Sequence, residues 1–90
     1  MKEIRVALAD DHPVVLAGIK ALLQAAPEIT LVGEATTGSA ALGMICKADP
    51  DVAVIDISLP ELSGIELAKA LAAQCPRVKL LALTVHEDRA

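Results

Sequence analysis

The sequence predicts a three-layer α/β domain, a parallel sheet with helices on both faces. Three observations carry that expectation. Short aliphatic runs alternate with longer stretches whose apolar residues recur every three or four positions, in the order β-α-β-α-β-α-β. The connections between them are short, which favours right-handed crossovers and a parallel sheet. The aliphatic runs over 4–9, 52–55 and 78–83 are almost uninterrupted, as strands covered on both faces require.

The elements follow in order. Strand one spans 3–9, with Arg5 its only interior charge. Helix one covers about 13–25: Pro13 suits the first helical position, where its missing N–H costs nothing. Val15, Ile19, Leu22, Leu23 and Ala26 form its apolar stripe, and Pro27 helps stop it. Strand two is 29–35, followed by a turn at Thr36, Thr37 and Gly38. Helix two runs over about 39–47 with Ala40, Ala41, Met44, Ile45 and Ala48 on one side, and Asp49-Pro50-Asp51 breaks it. Strand three is 52–56, where length and β-branched content argue strand over helix. Helix three opens on Ser63-Gly64-Ile65-Glu66, a capping box in which hydroxyl and carboxylate each satisfy a free N–H. Its apolar face is Leu67, Ala68, Leu71 and Ala72, and Cys75-Pro76 ends it. Strand four is 77–84. The order of strands in the sheet does not follow from periodicity.

Composition narrows the function. Ninety residues make one small domain, 54% hydrophobic yet without Phe, Tyr or Trp, so the core is aliphatic and Ala-rich. Without aromatics, base stacking of the kind used on single-stranded nucleic acid is excluded. The net charge of −4 and scattered Lys and Arg argue against a polyanion-binding surface and suit a cation or a basic partner. Cys46 and Cys75 fall in helices without metal-ligand spacing, and read as reduced, half-buried apolar residues of a cytoplasmic protein. No run is long and apolar enough for a membrane span, and the N-terminus lacks the apolar segment of a signal peptide.

The chemistry sits where strands stop: Asp10 and Asp11, then Asp56, then Thr84. In a parallel α/β sheet those carboxyl ends share one edge, and ligands bind there. Uncompensated, three gathered carboxylates repel; a Mg2+ ion removes the conflict and neutralises charge on an incoming phosphoryl group. Asp56, at the end of a buried central strand, is the best-placed nucleophile for an aspartyl phosphate. Thr84 offers a hydroxyl to the transferred group. Blander roles stand beside these. Asp11 can cap helix one, Asp56 can accept loop N–H groups, and Thr84 can be an ordinary strand residue. His12 reads as an exposed helix-start residue rather than a ligand, and His86-Glu87-Asp88 as a solvated loop. No Gly-rich phosphate loop and no nucleophile elbow is present.

These residues resemble the receiver domain of bacterial two-component response regulators. Ala9-Asp10-Asp11-His12-Pro13-Val14-Val15 with Gly18-Ile19 resembles its opening. Asp49-Pro50-Asp51-Val52, Asp56, Leu59-Pro60 and Gly64-Ile65-Glu66-Leu67 resemble the segment around its phosphorylated aspartate, and Leu81-Ala82-Leu83-Thr84 the strand ending in its switch hydroxyl. The wording is most similar to the NarL/FixJ (LuxR-type) subfamily, whose receivers usually precede a helix-turn-helix DNA-binding domain. The resemblance implies a flavodoxin-like sheet, order 2-1-3-4 for the strands present. It implies that Asp56 accepts phosphate from a histidine kinase, and that Asp11, Asp56 and the backbone carbonyl of Ser58 bind Mg2+, with Asp10 acting through a coordinated water. Thr84 would move to meet the phosphoryl oxygen. Such a module is a phosphoacceptor rather than an enzyme, beyond self-catalysed phosphoryl transfer and autodephosphorylation.

A whole receiver continues through a further helix, strand and helix, which carry the family's Lys and its switch aromatic. Residues 1–90 are therefore expected to be a receiver incomplete at its C-terminus, reaching DNA only through an effector domain absent here. Strand four then becomes an open edge and one sheet face loses cover, so self-association through either is expected. Two alternatives remain: a phosphorylation-incompetent interaction or dimerisation module, and a phosphatase-like enzyme. The latter wants an acid two places after Asp56, where Ser58 stands.

Overall fold

The computed structural model of the chain describes residues 3–83. Its elements are β1 (Ile4–Ala9), α1 (Pro13–Gln24), β2 (Ile29–Ala35), α2 (Gly38–Ala48), β3 (Val52–Asp56), α3 (Gly64–Gln74) and β4 (Lys79–Leu83). They form a four-stranded parallel sheet in the order β2-β1-β3-β4. This is the flavodoxin-like arrangement, with β1 and β3 in the middle.

The period-2 alternation of the central strands divides the core in two. Ala7, Ala9, Ala53 and Ile55 point to the face covered by α2 and α3, where they meet Ala41, Ile45, Leu67 and Leu71. Val6, Leu8 and Val54 point the other way, onto Leu16, Ile19 and Leu23 of α1. The small Ala side chains on the first face let two helices approach closely. The second face is thinly covered. No residue of α1 is buried, and Leu22, expected in the apolar stripe, is 75% exposed while Leu16 packs on the sheet. Leu22 and Leu23 stand about 100° apart on a helix, so one sheet-facing contact cannot seat both.

Local chemistry sets the helix boundaries. Thr37 accepts the Ala40 N–H to start α2 (3.2 Å), and Asp49 ends it in the left-handed region, φ 51°. Ser63 and Glu66 form the expected capping box of α3. Asp51 takes the Arg5 N–H on its carboxylate at 2.8 Å, extending the β1–β3 ladder outward.

Among the described residues β4 pairs only with β3. Leu80 and Leu81 are exposed on it, and beside them Ile65 of α3 borders an apolar groove over Ile55, Ile57 and Ala82. Among the described residues, then, β4 leaves one edge open and the face under α1 is thinly covered.

The cysteines do not. Cys46, in the last turn of α2, and Cys75, the C-cap of α3, are joined in a disulfide with a Cα separation of 5.8 Å. The expectation of two separate reduced thiols is thereby corrected. The pairing arises because α2 and α3 lie side by side on one sheet face with their ends level, a tertiary fact invisible in a 29-residue spacing. Closing a loop of that length stabilises a fold by roughly 3–4 kcal/mol in the chain-entropy account.

Candidate functional site

β1 and β3 are hydrogen-bonded neighbours that end together, Ala9 level with Ile55, so the residues just beyond them share one edge. Asp10 and Asp56 both stand there and both are buried, at 0% and 1% exposure. Asp11 and His12 follow on the rim before α1. Ligating atoms of Asp10, Asp11, His12 and Asp56 all lie within 4.8 Å of one another.

Hydrogen bonds hold one oxygen of each buried carboxylate. Asp10 Oδ1 accepts the His12 N–H at 2.8 Å and faces His12 Nδ1 at 3.0 Å. Asp56 Oδ1 accepts the Ser58 N–H and the Ser58 hydroxyl, each at 3.1 Å. The second oxygens, Asp10 Oδ2 and Asp56 Oδ2, are buried without a hydrogen-bond partner. Asp56 Oδ2 lies 3.2 Å from His12 Nδ1, close enough for charge attraction but without hydrogen-bond geometry. Buried polar atoms left unpaired are costly, and two in one acidic cluster are what a hard cation satisfies. The residues present therefore fit a metal ion.

The loop after β3 is fastened on both sides. Gly64 N–H donates to the Ile57 carbonyl at 2.8 Å and Gly38 N–H to the Pro60 carbonyl at 3.0 Å. Ser39 Oγ donates to Glu61 Oε1 at 2.6 Å. Ser58 is thus presented to Asp56 by a loop anchored to α2 and α3 together.

Asp10, Asp11 and Asp56 are brought together as expected, and Asp56 accepts a loop N–H as well. Asp11 does not cap α1: the N-cap is His12, without a side-chain cap. Thr84 and the segment His86-Glu87-Asp88 lie outside the described residues. His12 is the residue that sequence reasoning set aside. Its side chain is 47% exposed, yet Nδ1 reaches Asp10, Asp11 and Asp56 at 3.0, 3.2 and 3.2 Å. The available signal was its place directly after an acidic pair at a strand-to-helix junction.

The hydrogen bond to Asp10 holds the His12 imidazole above its ordinary 6.5; partial burial opposes this, and the charges of Asp11, Asp10 and Asp56 add to it. A raised folded-state value means that the protonated ring stabilises the fold fully below pH 6.5 and stops doing so as pH rises through that raised value. Without divalent cations, His12→Ala should therefore lower the melting temperature more at about pH 5.5 than at about pH 8.5, and added salt should shrink the difference. Equal losses at both pH values would contradict a role for ring charge.

The fold and the acidic edge define a flavodoxin-like domain with a cation-binding pocket at the carboxyl ends of its central strands. The model of the response regulator receiver domain family matches residues 6–90, and the chain belongs to that family. It is 44% identical over 83 residues to the DNA-binding transcriptional activator DevR/DosR of Mycobacterium tuberculosis, covering 92% of this chain and 38% of that protein. It is 34% identical to the nitrate/nitrite response regulator NarL of Escherichia coli, covering 90% of this chain and 38% of that one. The solved receiver domain of the putative response regulator NarL from Mycobacterium tuberculosis superposes with a TM-score of 0.90 at 32% identity, over 98% of this chain and 71% of that chain. The chain thus spans about two fifths of these curated relatives. It is a receiver domain of the two-component type, with an acidic pocket of Asp10, Asp11 and Asp56 able to bind a metal ion. No helix among the described residues is long and apolar enough to cross a membrane.

Proposed function

We propose that Asp56 is the phosphoacceptor of a two-component relay, taking its phosphoryl group from a histidine kinase. One observation carries this reading: Asp56 is buried in the acidic pocket with Oδ1 held by Ser58 and Oδ2 without a partner. A carboxylate immobilised by Ser58 presents its oxygens in a fixed orientation to a cation and to an incoming phosphoryl group. The P–N bond to the kinase histidine breaks as the P–O bond forms, giving an acyl phosphate. Mg2+ is the ion this reading requires: Asp11, Asp56 and the Ser58 backbone carbonyl would hold it, Asp10 would act through a coordinated water, and the ion would supply charge neutralisation. His12, placed against all three carboxylates, offsets part of their charge when its ring is protonated. Thr84 serves as the switch hydroxyl.

Beryllofluoride with Mg2+ tests the acceptor role, because it mimics an acyl phosphate. Amide resonances of 56–64 should shift in the wild type and stay fixed in Asp56→Asn. An unchanged wild-type spectrum would instead favour a scaffold that signals by association alone. The names of the relatives, a transcriptional activator and a nitrate/nitrite regulator, support a cytoplasmic regulator whose output is transcription, through an effector domain beyond these residues.

A second partner is another copy of this chain. Leu81 is 58% and Ile65 61% exposed beside the β4 edge that no described strand pairs with, and apolar surface next to such an edge recruits strands. Light scattering of the 90-residue chain should report a dimer or larger, and Leu81→Glu should shift it toward monomer. A monomeric wild type at high concentration would remove this reading.

A further inference from the structure

Cys46 and Cys75 are placed by hydrogen bonds that do not depend on their bond to each other. The Cys75 N–H donates to the Leu71 carbonyl at 2.7 Å, closing α3. Next to Cys46, Ile45 is fully buried and its carbonyl takes the Asp49 N–H at 2.9 Å. Ile45 and Leu71 belong to one core cluster, so the two helix ends stay adjacent whatever the sulfurs do. The bridge itself is only half-buried. It lines an open cleft with Asp49, Gln74, Pro76 and Arg77, so an outside thiolate has a path to sulfur.

We propose that Cys46–Cys75 is a reversible redox site, opened by a dithiol reductant and closed by oxidation while the domain stays folded. One thiolate of the reductant attacks a bridge sulfur; the S–S bond breaks, a mixed disulfide forms, and the departing sulfur takes up a proton. The reductant's second thiolate then attacks its own bridged sulfur, releasing the other cysteine, which is protonated in turn. Two electrons and two protons pass to the pair, and the reductant leaves as a disulfide.

A dithiol is favoured over a monothiol for a physical reason. Both cysteines sit at helix C-termini, the negative ends, and Asp49 lines the same cleft. These disfavour a departing thiolate, with Arg77 as the nearby counterweight. The mixed disulfide therefore tends to collapse back unless a second thiol resolves it within the same molecule.

Opening the bridge removes the covalent tie on the last turn of α3 but leaves the helix packed on the core through Leu71. Its N-terminal end rests on the acceptor loop through Gly64, so the helix that braces Asp56 carries a covalent tie at its far end only when the bridge is closed.

The test treats the whole 90-residue chain with dithiothreitol or with reduced glutathione, then follows bridge content by alkylation and mass. Dithiothreitol should open the pair without denaturant, and glutathione should open far less. The reduced chain should melt cooperatively at a lower temperature. Amides of the last turn of α3 should exchange ~10-fold or more faster, with β1 and β3 unchanged. Oxidised glutathione should restore the original melt, and Cys46→Ser/Cys75→Ser should copy the reduced form and ignore dithiothreitol. Opening only in denaturant, an unfolded reduced chain or double variant, or α3 exchange that ignores bridge state would each overturn the proposal.

Discussion

Asp56→Asn should raise the melting temperature of the metal-free domain while abolishing its response to Mg2+. In the wild type, Asp56 is buried against Asp10, with Asp11 on the rim, and one oxygen of each buried pair member lacks a partner. An amide keeps the acceptor that Ser58 needs at Oδ1 and removes the negative charge from the unpartnered oxygen, 3.2 Å from His12 Nδ1. Relief of one buried unsatisfied charge is worth ~1–3 kcal/mol. For a domain of this size that corresponds to a rise of about 5 °C or more. The gain should grow as pH rises through the raised His12 value, because the neutral ring no longer offsets the cluster. Mg2+ should stabilise the wild type by mass action and leave the variant unmoved. A variant less stable than wild type without metal would show that the pocket is not under charge strain.

The cost of burying two carboxylates with unpartnered oxygens is also why the pocket was readable in the sequence. Strand ends usually carry turn formers or caps, and carboxylates at two adjacent central strands are an electrostatic cost with no folding benefit. Asp10, Asp11 and Asp56 therefore stood out against an aliphatic background, and strand parity and crossover handedness put them on one edge. The strand order itself was legible only through family resemblance, because periodicity reports which face a residue takes and not which strand lies beside it.

What escaped was whatever depends on distance in three dimensions. His12 is polar, half-exposed and next to a helix start, and only its place after an acidic pair hinted at its contacts with Asp10 and Asp11; its approach to Asp56 comes from β3 lying beside β1. Cys46 and Cys75 become neighbours only once α2 and α3 are laid level on the sheet. Leu22 fitted the helical period as well as Leu16, and packing on Val6, Leu8 and Val54 decided between them.

Glycine substitutions should separate residues that fit the pattern from residues that hold the site. Gly38 and Gly43 lie in the same helix. A Cβ on Gly43 meets nothing within 4 Å, so Gly43→Ala should stabilise by ~0.5–1 kcal/mol through reduced unfolded-state freedom. A Cβ on Gly38 would overlap the Leu62 carbonyl, and one on Gly64 would sit 2.6 Å from Ile57 Cα and 2.8 Å from the Asp56 carbonyl oxygen. Those neighbours are backbone and cannot rotate aside. Overpacking there should cost ~3 kcal/mol or more for Gly38→Ala and ~2–3 kcal/mol for Gly64→Ala, a large share of a small domain's stability. The same wedge presents Ser58 to Asp56, so both variants should lose Mg2+ affinity beyond what their lower melting temperatures explain. Thermal melts and Mg2+ titrations of the three variants check this ordering. A Gly38→Ala protein that melts with the wild type would mean that the acceptor loop is not held between α2 and α3.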